Sequence, residues 1–338
     1  MRLLFFTDTH LRGTPPEART DNFNETVKDK LAEVASLARR LGAGAVIHGG
    51  DFFDVPEPGL AHVGECVEIL ARLPVPLYTV PGNHDIHGHN PSTLPRTLLG
   101  FLVRLGAVKL LGRDPVFLSL PGDKKLQLTG QGFHAEIDRR DWVLDYVVGK
   151  KETDFAVHVV HGMLLPRGIV SSASFLPAAT PAEDVLAATK ADVTLCGHYH
   201  IPWEARLDGK LALNPGALVR LSARPEEVGR VPQVLLLEFS EEGFSHKYIP
   251  LRSARPGSEV LDRSHLDAAR ARAGAREAFL AGLGEFRGER FAAMEPAEVL
   301  RETLARLGAG PDVAAEAWRR LQTRLSEGGV VYDRQNRH

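Results

Sequence analysis

Five short stretches of the sequence carry side chains able to do chemistry. In order they are Asp8-Thr9-His10, Gly50-Asp51-Phe52-Phe53-Asp54, Gly82-Asn83-His84-Asp85, His161-Gly162 and Gly197-His198-Tyr199-His200. Most place hard oxygen or imidazole donors on a turn with little side-chain bulk. Such N/O donor sets suit Mn2+, Fe2+ or Zn2+ rather than soft metals. Asp8 and His10 are two residues apart, as are His198 and His200, so each pair can converge on one ion where its strand leaves the extended form. A carboxylate such as Asp51 can bridge two ions. Two ions ~3.5–4 Å apart form a clamp for in-line phosphoryl displacement. Taken singly, each stretch is an ordinary loop or turn. Five in order, each after an apolar run, point to one metal site. The histidines agree, since 11 of the 14 lie at or before His200.

The elements that must position these residues are legible as hydrophobic periodicity. Residues 2–6 read as a buried strand that delivers Asp8. Val27, Leu31, Val34, Leu37 and Leu41 follow helical spacing over 24–41, with Asn22 and Glu25 as a capping pair. A strand at 45–48 runs into Gly49-Gly50-Asp51, a helix covers 60–73, and a strand at 76–80 ends at Asn83 and His84. Polar residues thus sit at the C-terminal ends of successive strands of a βαβαβ start, where open α/β sheets bind ligands. After a helix at 93–105 come short strands near 107–111, 116–120 and 126–133. A buried strand at 155–160 precedes His161, a helix lies at 181–190, and a strand at 192–196 precedes His198. Strands near 203–207, 210–213, 233–240 and 244–250 complete an α/β, two-sheet sandwich over 1–250 with helices outside.

Composition shifts after Pro250. Lys247 is the last lysine, and Pro256-Gly257 sits in a stretch, 253–258, that reads as a linker. Residues 251–338 then form a small helical region with helices at 263–283, 295–307 and 311–326. Gly308-Ala309-Gly310 turns the last two into a hairpin, with Val299, Leu300, Leu304 and Leu307 facing Val313, Ala317, Leu321 and Leu325.

The chain has 338 residues, 43% of them hydrophobic and 25% charged, which excludes disorder and allows one large domain plus a smaller one. Cys66 and Cys196 are the only cysteines, so a disulfide framework and a four-thiolate zinc site are both excluded, and a reducing, cytoplasmic setting is expected. No apolar run reaches the ~18 residues of a membrane span. The net charge of -2 argues against a uniformly basic nucleic-acid coat and leaves room for a local basic groove.

The ordered set Asp-x-His, Gly-Asp, Gly-Asn-His-Asp, His and Gly-His-x-His resembles the signature of calcineurin-like metallophosphoesterases over about residues 1–250. The resemblance implies a metallophosphoesterase sandwich and two divalent ions, with Mn2+ the expected metal and Fe2+ or Zn2+ as alternatives. Carried over residue by residue, it implies that Asp8, His10, Asp51 and His200 hold one ion. Asp51, Asn83, His161 and His198 hold the other, so that Asp51 bridges. A hydroxide between the ions would be the nucleophile and His84 the acid for the departing oxygen. Asp54, where many relatives place an Asp that bonds this His, would orient His84. Archaeal and eukaryotic repair nucleases typically carry a second His there, so the resemblance implies one catalytic histidine here rather than two.

Within that superfamily the chain looks most like the SbcD-type DNA repair exonucleases. The similarity rests on Phe6-Thr7-Asp8-Thr9-His10-Leu11, on His48 through Asp54, and on Asn214-Pro215-Gly216-Ala217-Leu218-Val219-Arg220. It implies a DNA substrate and a separate SbcC-type coiled-coil ATPase, since this chain has no Gly-x-x-x-x-Gly-Lys loop. The alternative is a phosphoesterase for small molecules such as cyclic nucleotides or nucleotide diphosphates. The C-terminal helices have three candidate roles: packing on the sandwich, docking onto the ATPase, or a homodimer contact.

Several other residues carry smaller expectations. His48 and His158 read as packing or supporting histidines, and His87 and His89 as a solvated loop. Arg167 and Arg220 are candidates for phosphate contact, Cys196 for core packing, and Trp318 for hairpin packing.

Overall fold

The computed structural model describes residues 1–172, 178–264, 271–279 and 296–327. A first compact unit runs from Met1 to Arg263 and a second from Ser264 to His338.

The first unit contains two six-stranded sheets. Its early elements are β1 (Arg2–Phe6), α1 (Phe23–Arg40), β2 (Ala45–His48), α2 (Leu60–Ala71), β3 (Leu77–Thr79), α3 (Leu98–Arg104) and β4 (Lys109–Leu110). Next come β5 (Val116–Ser119), β6 (Lys125–Gln131), α4 (Val143–Tyr146), β7 (Phe155–His161), β8 (Leu164–Leu165), α5 (Arg167–Ser172) and β9 (Thr180–Pro181). The unit closes with α6 (Ala182–Ala188), β10 (Val193–Gly197), β11 (Trp203–Leu207), β12 (Lys210–Asn214), α7 (Pro225–Gly229), β13 (Gln233–Phe239), β14 (Phe244–Pro250) and α8 (Gly257–Val260). One sheet has the order β14-β13-β1-β2-β3-β4 and the other β11-β12-β10-β7-β6-β5, and β8 pairs with β9 separately. In the first sheet β1 to β4 are parallel; in the second β12, β10, β7 and β6 are. Antiparallel partners complete both.

The layering follows from strand alternation, because successive side chains point to opposite faces. Leu3, Phe5, Ala45 and Ile47 of the first sheet pack with Val157, Val159, Val193 and Leu195 of the second in one apolar layer. The alternate residues Leu4, Phe6 and Val46 pack with Val27, Leu31, Val34 of α1 and Val63 and Leu70 of α2. On the far side Val160, Cys196 and Ala212 meet Val185 and Leu186 of α6. Asn22 caps α1, accepting from the Glu25 N–H at 3.4 Å. The α/β two-sheet sandwich with helices outside is therefore present. No described helix is long and apolar enough to cross a membrane.

Three expectations are corrected. The helix expected over 93–105 is split: Pro91–Arg96 is a 3-10 turn containing Pro95, and Thr97 caps α3 by accepting from the Gly100 N–H. Proline removes the donor that a continuous helix needs.

The domain boundary is not at 250, and 253–258 is not a loose linker. Leu251 is in the core, and the Glu33 carboxylate accepts from the N–H groups of Arg252 (2.9 Å) and Ser253 (2.8 Å). Val260 and Leu261 are buried with Ala223. Gly257 is required by close approach, since a Cβ there would collide with the Val228 backbone. Pro-Gly composition marks a tight contact as readily as a flexible joint.

In the second unit 271–279 is helical, while 265–270 and 280–283 of the helix expected at 263–283 lie outside the described residues. Helices at Pro296–Arg306 and Pro311–Glu327 are joined through Gly308, whose φ is 57°. Leu300 and Leu304 are buried, but Leu307, Val313 and Leu325 are 42%, 47% and 50% exposed, so the hairpin does not close along its expected length. Trp318 is half-buried.

The Gly257 contact gives a direct test. Gly257→Ala should destabilise the first unit by about 1–3 kcal/mol, the usual cost of overpacking, as read by denaturant unfolding. A flexible linker would tolerate the change with no shift in the midpoint.

Candidate metal centre

The five stretches meet at the C-terminal ends of β1, β2, β3, β7 and β10. Asp8 and His10 follow β1, Asp51 follows β2, Asn83 and His84 follow β3, His161 ends β7, and His198 and His200 follow β10. The turns are sharp. Asp8 (φ 52°), His10 (φ 43°), Asp51 (φ 52°) and His198 (φ 81°) all occupy the left-handed region. That conformation costs of order 1–3 kcal/mol for a residue with a side chain and persists only where surroundings impose it. Here the β1 and β2 loops are laced together, Asp8 N–H to Gly50 O at 3.1 Å and His10 N–H to Asp51 O at 3.0 Å. Side chains at Gly50 or Gly82 would collide with His161 or Asp51, so both glycines leave the donors their room.

A buried carboxylate, Asp85, ties the β2 and β3 loops. It accepts from the N–H groups of Phe52 (3.1 Å), Phe53 (2.9 Å) and Gly82 (2.8 Å). Burial and the charge of Asp51 push its pKa up to about 6 despite these donors. His48 supports the same region. Its Nδ1 accepts from the Gly50 N–H at 3.2 Å, and its Nε2 lies 3.1 Å from Thr9 Oγ1. Burial holds it neutral, with a pKa near about 3.

Three groups of donor atoms each lie within 4.8 Å of one another: Asp8, His10 and His200; His10, Asp51 and His84; and Asp51, His161 and His198. Asp51 Oδ2 stands between two of them, 3.7 Å from His10 Nε2 and 3.3 Å from His161 Nε2. His200 Nε2 is 3.2 Å from His10 Nε2 and 3.7 Å from Asp8 Oδ1. Asn83 Oδ1 is 3.3 Å from His161 Nε2. All seven expected ligands are therefore brought together.

The donor set fits divalent cations. Two carboxylates, an amide oxygen and four imidazoles converge, and the His10 and His200 Nε2 atoms face each other where a single proton serves only one of them. Burial lowers the pKa of His198 to about 3 and that of His200 well below the usual value, so both rings are neutral, as ligation requires. Burial opposes charge on His161 too, but Asp51 and Asp8 outweigh it and raise that pKa to about 9. A cation at these positions would take the place of that proton. An outer contact orients His161, whose Nδ1–H donates to Gly49 O at 2.8 Å, while Glu227 Oε1 lies 3.9 Å from His200 Nδ1, beyond hydrogen-bond reach.

His84 occupies the edge of the centre. Its N–H donates to Asp51 Oδ1 at 2.9 Å, and its Nδ1–H donates to the main-chain carbonyl of Asp54 at 2.8 Å. That bond sets the tautomer and leaves Nε2 for the site.

The expectation that the Asp54 side chain orients His84 is corrected. Its Oδ1 lies 3.3 Å from His10 Nδ1, and its Oδ2 pairs with Arg12 at 3.0 Å. The family resemblance implied an Asp54 carboxylate on His84, but the turn presents the Asp54 carbonyl instead. Arg220 is also not placed for phosphate, being buried and donating to the carbonyls of Arg230 and Arg255. Arg167 pairs with Asp184. His158 is buried between Thr129 and the Asp145 carbonyl, and His87 pairs with Glu57 at 3.3 Å.

Sequence reading missed Arg12, Glu227 and Phe133, and it named Asp85 without giving it a role. Phe133 alone carried a usable signal, since it follows Gly130-Gln131-Gly132 at the end of another parallel strand, β6. Its ring centroid is 5.4 Å from that of His198.

The Asp54 geometry separates two roles by measurement. A carboxylate behind a ligating imidazole typically contributes 10–100-fold in metal affinity. Asp54→Ala should therefore weaken metal retention by roughly that factor while leaving the His84 carbonyl contact intact. Full metal content with a turnover loss confined to poor leaving groups would instead assign Asp54 to His84.

Residues 1–202 match the model of the calcineurin-like phosphoesterase family. Over 233 residues, 66% of this chain, the sequence is 26% identical to the DNA double-strand break repair protein Mre11 of Halobacterium salinarum. It is 25% identical over 121 residues, 35% of the chain, to Mre11 of Saccharolobus solfataricus. The matched regions span 53% and 30% of those two relatives. Among solved structures, a dimetal phosphatase from Danio rerio matches at a TM-score of 0.46 and 12% identity, covering 74% of this chain and 96% of that one.

Proposed function

The chain belongs to the calcineurin-like phosphoesterase family, and on that premise we propose that it is a two-metal phosphodiesterase of the SbcD type that cleaves DNA at its ends. The observation that carries this reading is the sharing of Asp51 between two donor groups, with His84 held at their edge. Asp8, His10, Asp51 and His200 would hold one ion, and Asp51, Asn83, His161 and His198 the other, with Mn2+ the expected metal at such hard sites. When bound, the two ions supply an activated water at neutral pH and a clamp on the phosphoryl oxygens.

The chain's own groups do the rest. Asp51 keeps the two halves of the centre in register. The Asp54 carbonyl holds His84 Nδ1–H, so Nε2 can carry and release a proton toward the departing 3'-oxygen. Asp54 stands behind His10 at 3.3 Å from its Nδ1, and the Glu227 carboxylate adds its charge 3.9 Å from His200 Nδ1. The similarity to Mre11 supports DNA as substrate, and by that likeness we place an SbcC-type ATPase as a separate partner, docked through the C-terminal helices. The buried thiols of Cys66 and Cys196 support a cytoplasmic setting.

The deciding experiment incubates the full chain with Mn2+ and end-labelled single- and double-stranded DNA, with cyclic nucleotides in parallel. DNA cleavage that is lost on chelation and in Asp51→Asn, and stimulated by an added SbcC-type ATPase only when residues 264–338 are present, is the expected result. Turnover of cyclic nucleotides without DNA cleavage would move the protein to small-molecule hydrolysis. Activity that survives exhaustive chelation would sink the metal reading altogether.

His84→Ala should keep the metals and lower DNA turnover by roughly 10²–10⁴, the usual contribution of a positioned acid. The loss should shrink on a diester whose leaving group is p-nitrophenolate, which departs without a proton. Equal losses on both substrates would remove His84 from that role.

A further inference from the structure

Phe133 lies where no metal ligand is needed, yet it is built against the ligands. It follows β6 and is fixed from the first sheet, with its N–H donating to Pro81 O at 2.9 Å. A Cβ on Gly132 would come within 2.6 Å of the Pro81 ring, so the two loops are in close contact just beside Asn83. The Phe133 ring is tilted over His198, at 5.4 Å between centroids and 42° between planes. It also meets His161 edge-on at 6.3 Å. From the outer side the exposed ring of His89 stands edge-on to it at 5.2 Å. His89 has a φ of 58° and closes the 3-10 turn His87–His89 that follows His84.

This ring is not fully spent on packing. Phe133 is only half-buried, although three imidazoles surround it. It borders the His161 and His198 side of the centre, whereas His84 packs edge-on against His10, 4.8 Å away, on the other side. The two flanks of the centre therefore differ in chemistry. One offers a proton donor, and the other offers a flat apolar surface held rigid by a backbone hydrogen bond. Flat aromatic surfaces beside a phosphate site suit a nucleobase of any sequence, because every base has a π-face.

We propose that Phe133, flanked by His89, is the stacking platform for the nucleobase on the retained side of the scissile phosphodiester. The assignment rests on the phosphodiesterase reading above and adds the basis of nucleoside selectivity. Phe133 is a specificity residue in this scheme, and His89 bounds the exposed side of its ring.

The test uses two diesters with one leaving group, thymidine 5'-p-nitrophenyl phosphate and methyl p-nitrophenyl phosphate, on the Mn2+-loaded full chain. Identical leaving groups remove the His84 contribution from the comparison. Stacking on an aromatic side chain contributes ~1–3 kcal/mol per base, which is about 5- to 150-fold. Phe133→Leu should therefore lower kcat/KM for the thymidine ester by that factor more than for the methyl ester, with the change mainly in KM. Phe133→Trp should restore the preference, and metal content should match wild type in both variants. His89→Ala should shift selectivity in the same direction by less. Equal losses on both esters, or a loss of metal in Phe133→Leu, would show that the ring merely braces His198 and would overturn the proposal. A wild-type enzyme that does not prefer the thymidine ester overturns it as well, while leaving diester hydrolysis in place. A wild-type enzyme inactive on both diesters overturns the phosphodiesterase reading together with it.

Discussion

The buried carboxylate of Asp51 is the constraint on which the rest of the centre depends. It must stand between His10 and His161, which come from different sheets, and no regular strand end puts it there. The chain reaches that point only through a left-handed aspartate after β2, with glycine on the β3 loop where a side chain would collide with it. Asp85 then locks both loops by taking three backbone donors. Strain at four ligand residues is tolerable because the surrounding strands are buried on both faces and cannot relax. The two-sheet core is thus what makes an unfavourable local geometry persist.

Charge explains why the arrangement calls for a cation. Asp8 and Asp51 are both fully buried, and their mutual repulsion adds to the cost of burial at Asp8, raising its pKa. His161 draws a proton as the available remedy, while His198 and His200 are driven neutral by the same burial. One proton cannot serve carboxylates and neutral imidazoles at once. Divalent ions can, because they accept lone pairs from both donor types.

Much of this was legible in the sequence, for a physical reason. Donors at strand ends must sit on short loops and be of a few fixed types, and the strands before them are apolar runs, so the five stretches announce themselves locally, while the family resemblance picks Asp8, His10, Asp51, Asn83, His161, His198 and His200 out of them. The C-terminal hairpin was legible only as elements: periodicity located its helices but overstated their contact at Leu307, Val313 and Leu325. Asp54 shows a different limit. The family resemblance placed its carboxylate on His84, but the local turn decides which group meets the ring, and here it is the carbonyl. Pro256-Gly257 reads identically in a linker and in a tight contact, and only the collision with Val228 decides between them. Glu227 and Phe133 stand beside site residues far away in the chain; the glycines before Phe133 mark a strand end, but nothing local to either residue names its partner.

That division also bears on how the centre forms. The first sheet supplies Asp8, His10, Asp51, Asn83 and His84, and the second supplies His161, His198 and His200. Neither sheet alone offers all three donor groups. The donors therefore meet only after the apolar layer between the sheets has set their register, which is a long-range event. Side chains such as Phe5, Ile47, Val159 and Leu195 in that layer touch no ligand role, yet they fix the separation of the two halves. Metal affinity is then a report on inter-sheet packing as much as on the donors. The same logic places Phe133, a second-sheet residue pinned to the first-sheet Pro81 loop, half-buried where the two halves meet.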